Sequence, residues 1–132
     1  MQRIEQQFQW AVQALAQPAE VQCELYPRFV VVADELALDF DHWRKACEDN
    51  LGHLWSREQQ RAVAALDDLL TEMSGPDRPE LWLESGCLNQ PQWSEVRRLA
   101  CEALCAFGWP LTVPPLDRAI YARYSSPRTP DV

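Results

Sequence analysis

The sequence predicts an all-α protein, a single-domain bundle of about four main helices with an irregular, proline-rich C-terminal strap. Three observations lead to this prediction. Apolar residues recur at three- and four-residue steps in four segments of the 132-residue chain. Proline and glycine separate these segments. No internal repeat or interdomain linker divides them, so we expect one helical domain over residues 1–124 and a flexible tail over residues 125–132.

The first helix is predicted over about residues 2–17 and should end at Pro18. Its apolar stripe consists of Ile4, Phe8, Ala11, Val12 and Leu15. We expect the glutamines and Arg3 to occupy the opposite face. Residues 18–28 contain two prolines around a short alternating segment. That segment fits either a loop or one short extended piece.

The second helix is predicted from about residue 34 to residue 50, continuing a stripe that starts earlier in the chain. The stripe consists of Phe29, Val32, Leu36, Phe40, Trp43 and Cys47. The β-branched residues at its start, 30–32, also fit a short strand.

The third helix should begin after Ser56, because Ser56 and Gln59 have the spacing of a capping box. Its buried stripe consists of Val63, Leu66, Leu70 and Met73, and the glycine and proline at 75 and 76 end it. A short helix is possible over residues 80–85.

The fourth long helix should run from about Pro91 to Phe107, with Gly108 as its C-terminal cap. Trp93, Val96, Ala100 and Leu104 share its apolar face with Phe107. Residues 109–115 contain three prolines and should lie extended across the bundle. Residues 116–124 are expected to add a last short turn or helix.

The net charge of −8 and the pI of about 4.7 argue against binding to nucleic acids or to anionic membranes. A basic protein is the natural complement of such a charge, although solubility alone also explains it. No apolar stretch has the length of a membrane span, and residues 1–7 lack the apolar core of a signal peptide. We therefore expect a cytoplasmic protein.

The five cysteines follow no disulfide or zinc-binding spacing, which predicts reduced thiols and no metal or cofactor. Cys47 lies on the second apolar stripe and should be buried and inert. Cys101 and Cys105 are expected to serve as small apolar residues within the fourth helix. The four glycines form no phosphate-binding loop, and no nucleophile elbow is present. These absences favour a protein without catalytic activity.

The most distinctive stretch is acidic. Between residues 20 and 49, eight acidic residues stand against three basic ones, a net charge of −5 of the total −8. The candidate partner-binding carboxylates are Asp34, Glu35, Asp39 and Asp41. The same residues also fit a solvated acidic face without function, opposite the stripe of Leu36, Phe40 and Trp43, and this simpler interpretation is favoured. A third interpretation makes Glu35, Asp39 and His42, which share one helix face, a metal site or an acid–base pair.

Six tryptophans in a chain of this length suggest either a packed core or an interface. Trp43 and Trp93 lie on helix stripes and should belong to the core. Trp10, which lies off the stripe of the first helix, and Trp55, at a helix end, are candidate partner-binding residues. Trp55, Trp82 and Trp109 also fit an alternative role as lids over the ends of the bundle.

Residues 32–41 (VADELALDFD), 66–75 (LDDLLTEMSG) and 93–104 (WSEVRRLACEAL) resemble segments of a group of small, uncharacterised bacterial proteins. In its size, acidity and lack of catalytic motifs, the chain also resembles the immunity proteins that neutralise bacterial toxins, a likeness of class rather than of motif.

The first hypothesis is therefore an immunity-type inhibitor that binds a basic toxin domain, such as a nuclease, through the acidic second helix. The second hypothesis is an adaptor or regulatory domain that self-associates, for example as a homodimer, through exposed tryptophans. The third is a metal-dependent enzyme that uses carboxylates of the second helix.

Overall fold

The computed structural model describes residues 3–75 and 77–118 and confirms the all-α prediction. Within these residues there are six helices and no strand. The helices are α1 (Arg3–Ala16), α2 (Ala19–Glu24), α3 (Val32–Leu51), α4 (Arg57–Met73), α5 (Pro79–Trp82) and α6 (Pro91–Phe107). Two single 3₁₀ turns cover Gly52–Leu54 and Cys87–Asn89. None of the helices in this part of the chain is long and apolar enough to cross a membrane.

The four long helices pack in the order α3, α1, α6, α4. Helix α1 lies against both α3 and α6, and α6 lies against α4. Helices α3 and α4 approach each other less closely than any of these three pairs. The core lies between the helices and is formed by the predicted stripes, with Phe8, Leu36, Leu66 and Trp93 at most 1% exposed. The packing order therefore leaves a seam between α3 and α4.

The ends of α4 and α6 follow their predicted local signals. The Ser56 hydroxyl accepts a hydrogen bond from the Gln59 backbone N–H at 3.1 Å, and Gln59 Oε1 accepts one from the Ser56 N–H at 2.8 Å. At the end of α6, Gly108 has a φ of 71°, a left-handed conformation that glycine adopts without strain. The Trp109 N–H then donates to the Leu104 carbonyl at 2.9 Å, which completes a Schellman motif.

Residues 18–31 differ from the prediction. Helix α2 occupies residues that were expected to form a loop or an extended piece, and residues 28–30 make a turn, so the alternative of a short strand is wrong. The buried Gln22 side chain explains the helix. Its Nε2 donates to the carbonyls of Ala14 and Leu15 at the C-terminal end of α1, both at 3.1 Å, and so connects α2 to α1.

The strap, residues 109–118, runs along α1 and is irregular over 109–115, as predicted. Gln13 Nε2 donates to the Pro110 carbonyl at 2.8 Å and to Thr112 Oγ1 at 3.1 Å, and Gln17 Nε2 donates to the Thr112 carbonyl at 3.0 Å. Gln13 and Gln17 are therefore buried, as is Gln7, so the predicted polar face of the first helix is partly covered. Residues 119–124 and the predicted tail, 125–132, lie outside the described residues.

Aromatic rings close one end of the bundle, where α4 begins and α6 ends. We call this the closed end. The Phe8 ring lies 5.9 Å from those of Phe40, Trp55 and Trp109 and 6.2 Å from that of Phe107. Phe107 and Trp109 stack on each other at 4.4 Å. The interpretation of Trp55 and Trp109 as lids agrees with these contacts.

Candidate functional site

A cavity of about 420 Å³ lies in the seam between α3 and α4, with α5 beside it. We call it the acidic groove. Its described lining residues are Asp34, Ala37, Leu38, Phe40, Asp41, Asp67, Leu70, Thr71, Ser74 and Trp82. They include three acids and no base, while Phe40, Leu70 and Trp82 supply an apolar surface. The groove therefore combines negative charge with an apolar wall.

The three carboxylates come from two helices. Asp34 and Asp41 are seven residues apart on α3, a spacing of about two turns that places them on one face. Asp67 faces them from α4, with Thr71 one turn further along and also lining the groove. All three aspartates are half-buried. Because α3 and α4 do not pack closely, the three carboxylates face one another across a cavity that is open to a ligand.

Arg44 bridges the two helices at the Asp41 end of the groove. Its guanidinium lies 3.1 Å from Asp41 Oδ1, 2.7 Å from Glu48 Oε1 and 3.6 Å from Asp67 Oδ1. Lys45 Nζ lies 3.1 Å from Asp41 Oδ2. Partial burial raises the pKa of Asp41, but hydrogen bonds and attraction from Lys45 and Arg44 outweigh it, so the pKa is below its ordinary value. Asp41 therefore remains ionised at neutral pH.

Trp82 forms a wall between the acidic groove and a second cavity. Its indole Nε1 donates to the Met73 carbonyl at 2.7 Å, and its ring meets that of Trp93 edge-on at 5.3 Å. These contacts attach α5 to the end of α4 and fix the position of the Trp82 ring. A ligand in the acidic groove would meet a rigid aromatic surface.

The second cavity, of about 400 Å³, is more apolar, and we call it the apolar groove. Its lining includes Val30, Val31, Val32, Ala33, Leu83 and Leu88, together with Cys23, Cys87, Glu20 and Glu84. Val31 is 43% exposed and Leu83 is 72% exposed. Large exposed apolar side chains beside a concave surface are typical of protein interfaces. The two grooves lie on either side of Trp82, and together they form the candidate site.

The structure divides the four predicted carboxylates into two pairs. Asp34 and Asp41 line the acidic groove, whereas Glu35 and Asp39 are 6% and 3% exposed. Asp39 Oδ2 accepts a hydrogen bond of 2.6 Å from the Tyr26 hydroxyl. In this conformation Glu35 and Asp39 face the protein interior, where their polar contacts support the fold.

Arg118 brings the end of the strap to this interior pair. Its guanidinium lies 5.2 Å from the centre of the Tyr26 ring, and its Nη1 donates to the Pro115 carbonyl at 3.0 Å. Burial raises the pKa of Tyr26 well above its ordinary value, and the negative charge and hydrogen bond of Asp39 raise it further, against a smaller opposing effect of Arg118. Tyr26 is therefore a neutral hydrogen-bond donor at physiological pH.

The proposed metal or acid–base set of Glu35, Asp39 and His42 finds no support in the geometry. Among residues 3–75 and 77–118, no three histidine, cysteine, aspartate or glutamate side chains form a group that could hold a metal ion. His42 packs edge-on against Trp43 with ring centres 4.6 Å apart. Burial lowers the pKa of His42, with a smaller opposing effect of Asp41.

The two predicted tryptophan anchors lie away from the grooves. Trp55 stacks on Phe8 at the closed end, and Trp10 is a half-buried residue of α1. Neither lines the acidic groove. From the sequence, Asp67 and Asp68 are candidates only as further ligands for a metal site, and Trp82 is not combined with the α3 carboxylates, because no pattern within one helix reveals which helix lies across a seam. The available signal was the spacing of Asp67, Thr71 and Ser74, which share one face of α4.

No family model matches this chain, and no curated protein or solved structure is significantly similar to it. The resemblance to toxin-immunity proteins therefore remains one of class. The shape and charge of the two grooves are therefore the features that indicate a function.

Proposed function

We propose that the protein is a binding protein of the immunity type, which neutralises a basic protein such as a toxin nuclease domain by holding it at the acidic groove. One observation supports this proposal most directly. Asp34, Asp41 and Asp67 converge from two helices on a cavity whose remaining surface includes Phe40, Leu70 and the fixed ring of Trp82. The net charge of −8 adds a long-range attraction for a basic partner.

The groove is chemically suited to lysine and arginine side chains. These side chains carry a charged head on an apolar stem, and the stem gains by lying against an apolar surface. In the acidic groove, the Trp82 ring can cover the stem while the Asp34 and Asp67 carboxylates accept hydrogen bonds from the head. Such charge-assisted bonds in a half-buried site are stronger than those between fully exposed groups.

The apolar groove extends the same surface. Val31 and Leu83 give a partner an apolar contact next to the acidic groove, so water can be excluded around the central ion pairs. The proposed contact set keeps Asp34 and Asp41 from the sequence prediction and adds Asp67 and Trp82. Glu35 and Asp39 support the fold from inside, and Trp10 and Trp55 are outside the contact set.

The experiment captures candidate partners with the tagged full-length chain from a lysate of the source organism and identifies them by mass spectrometry. Each captured protein is then expressed, purified and titrated calorimetrically with the chain. We expect a basic protein that inhibits growth when it is produced alone and is harmless when it is produced together with this chain. The affinity should fall steeply with salt, because the complex rests on opposite charges.

Two matched triple variants test the site itself. Asp34→Asn, Asp41→Asn and Asp67→Asn together should weaken binding at least about tenfold. Asp68→Asn, Glu72→Gln and Glu102→Gln remove the same charge from exposed positions outside the groove and should weaken it less than about threefold. Equal effects of the two triple variants would refute the acidic groove as the binding site. A partner that does not inhibit growth when it is produced alone would refute the immunity role.

Self-association is the second candidate function, and the exposed rim of the apolar groove favours it. Leu83 and Val31, which line this groove, are 72% and 43% exposed, whereas none of the six tryptophans is exposed. A homodimer would therefore use this rim rather than the tryptophans. Sedimentation of the wild type and of Leu83→Asp tests it. A concentration-dependent dimer that the substitution abolishes would support self-association, and a monomer at all concentrations would exclude it.

A further inference from the structure

We propose that Cys23 and Cys87 form an oxidation site, a pair of thiols that a hydroperoxide converts into an intramolecular disulfide across the apolar groove. Both cysteines line this one cavity from different elements. Cys23 lies on α2 and is exposed, and Cys87 begins the 3₁₀ turn Cys87–Asn89 and is 9% exposed. The reaction itself requires no partner, although the two cysteines line the groove that extends the proposed binding surface.

The two thiols are electrostatic neighbours. Burial raises the pKa of Cys87, and the charge of the Cys23 thiolate raises it further. Cys87 follows Gly86, whose φ of 78° is a left-handed conformation that glycine adopts without strain. The two thiols therefore reach one cavity from two separate segments, α2 and the turn after Gly86.

The unequal exposure of the two cysteines gives each a separate part in the reaction. The exposed Cys23 thiolate attacks an oxygen of the hydroperoxide, and the O–O bond breaks. Cys23 becomes a sulfenic acid, and an alcohol or water leaves with a proton. The sulfur of Cys87 then attacks the sulfur of Cys23, and the S–S bond forms as the hydroxyl leaves as water with the Cys87 proton. Two thiols are oxidised by two electrons, and one hydroperoxide is reduced.

The other three cysteines are internal controls. Cys47 is buried in the core, where burial and the nearby Glu5 and Glu48 raise its pKa to about 11, so it is a poor nucleophile. Cys101 and Cys105 are four residues apart on α6. Cβ atoms at that spacing are about 5–6 Å apart, beyond the usual 3.5–4.5 Å of a disulfide. A bond between them would require α6 to unwind locally.

The test treats the reduced full-length protein with hydrogen peroxide at low protein concentration, alkylates the remaining thiols and digests the chain with trypsin without reduction. Trypsin does not cut at Arg78, because Pro79 follows it. Cys23 is therefore released in peptide 4–28, Cys47 in 46–57, Cys87 in 62–97, and the α6 pair in 99–118. We expect peptides 4–28 and 62–97 to be joined, with a mass two hydrogens below their sum, in protein that remains monomeric on a non-reducing gel.

Two variants complete the experiment. Cys87→Ser should abolish the joined peptide and leave Cys23 as a higher oxide or as an intermolecular disulfide. Cys105→Ser removes the other exposed thiol and should leave the joined peptide unchanged. Circular dichroism verifies that both variants fold. Oxidation of Cys23 to the same products in the wild type and in Cys87→Ser would overturn the proposal, as would a bond from Cys23 to any other cysteine.

Discussion

The two ends of the bundle are built by different means. At the closed end, Phe8 contacts four other aromatic rings, and the capping box of Ser56 and Gln59 begins α4. At the opposite end, which we call the open end, α2 and α5 are short, and two grooves lie on either side of Trp82. Apolar contact covers the core at one end, whereas two cavities, one acidic and one apolar, lie at the other.

This difference indicates that the closed end mainly stabilises the fold and that the open end mainly binds a partner. Aromatic burial contributes to stability without regard to a partner, while carboxylates around a groove repel one another until a cation lies between them. The open end compensates with polar contacts inside the protein, such as the hydrogen bond between Tyr26 and Asp39. Substitutions at the closed end should therefore change the free energy of unfolding, and substitutions in the grooves should change binding.

The largest effect is expected for Phe8→Ala at the closed end. Phe8 is fully buried, and its removal leaves a cavity among the surrounding rings. Such a substitution costs about 3–5 kcal/mol of unfolding free energy. Urea denaturation measures it, with Phe29→Ala, a 75% exposed position, as the control expected to stay within about 0.5 kcal/mol. A loss below about 1 kcal/mol for Phe8→Ala would contradict the role assigned to the aromatic cluster.

Tyr26→Phe tests the polar interior of the open end. It removes the donor to the buried Asp39 carboxylate and should cost about 2 kcal/mol at neutral pH. The pKa of Tyr26 is raised in the folded protein, so its contribution to stability is complete below pH 10, the ordinary pKa, and is lost as the pH rises further. The reason is that above pH 10 the unfolded chain releases this proton and the folded chain keeps it.

Urea midpoints from about pH 8 to about pH 11 check this prediction. The difference in unfolding free energy between the wild type and Tyr26→Phe should shrink above pH 10, because only the wild type loses the contribution of this phenol. Comparison of the two proteins cancels the titration of all other groups. A difference that is independent of pH would mean that Tyr26 titrates in the folded protein as it does in the unfolded chain.

Much of the fold could be predicted because its signals are local. The apolar stripes predicted the four long helices. The capping-box spacing of Ser56 and Gln59 predicted the start of α4, and Gly108 predicted the end of α6. Helix α2 could not be predicted in this way. It depends on the hydrogen bonds from the Gln22 side chain to carbonyls at the end of α1, which only the folded chain brings into reach.

The candidate site was less predictable than the fold. The sequence located the acidic segment on α3, but a helix has several faces, and packing decides which face becomes buried. The packing of α2 and the strap encloses Asp39 with Tyr26, while the seam with α4 leaves Asp34 and Asp41 at a cavity. Asp67 joins them only through tertiary structure. Cys105, which was expected to serve as a small apolar residue of the fourth helix, likewise proved to be exposed.

A smaller effect is expected for Ser56→Ala, which breaks the capping box at the closed end. The Gln59 backbone N–H loses its acceptor, and a lost N-cap costs about 1 kcal/mol. Ser85→Ala is the control, because Ser85 is exposed and lies outside the helices. Both variants are compared with the wild type by thermal denaturation. Equal unfolding temperatures for Ser56→Ala and Ser85→Ala would show that the box does not limit the stability of this end.

The smallest effect on stability, and the sharpest test of the comparison, is expected for Asp67→Asn in the acidic groove. Among the residues that the structure describes, the Asp67 carboxylate has one ion pair, with Arg44 Nε at 3.6 Å, and its side chain is 35% exposed, so the pair contributes little. Removal of the Asp67 charge also relieves its repulsion from the Asp41 carboxylate across the seam. The free energy of unfolding should therefore change by less than about 0.5 kcal/mol, as for the exposed control Asp68→Asn. A loss of unfolding free energy above about 1 kcal/mol for Asp67→Asn but not for Asp68→Asn would contradict this prediction. It would mean that the ion pair between Arg44 and Asp67 holds α3 and α4 together, and that the seam stabilises the fold as the closed end does.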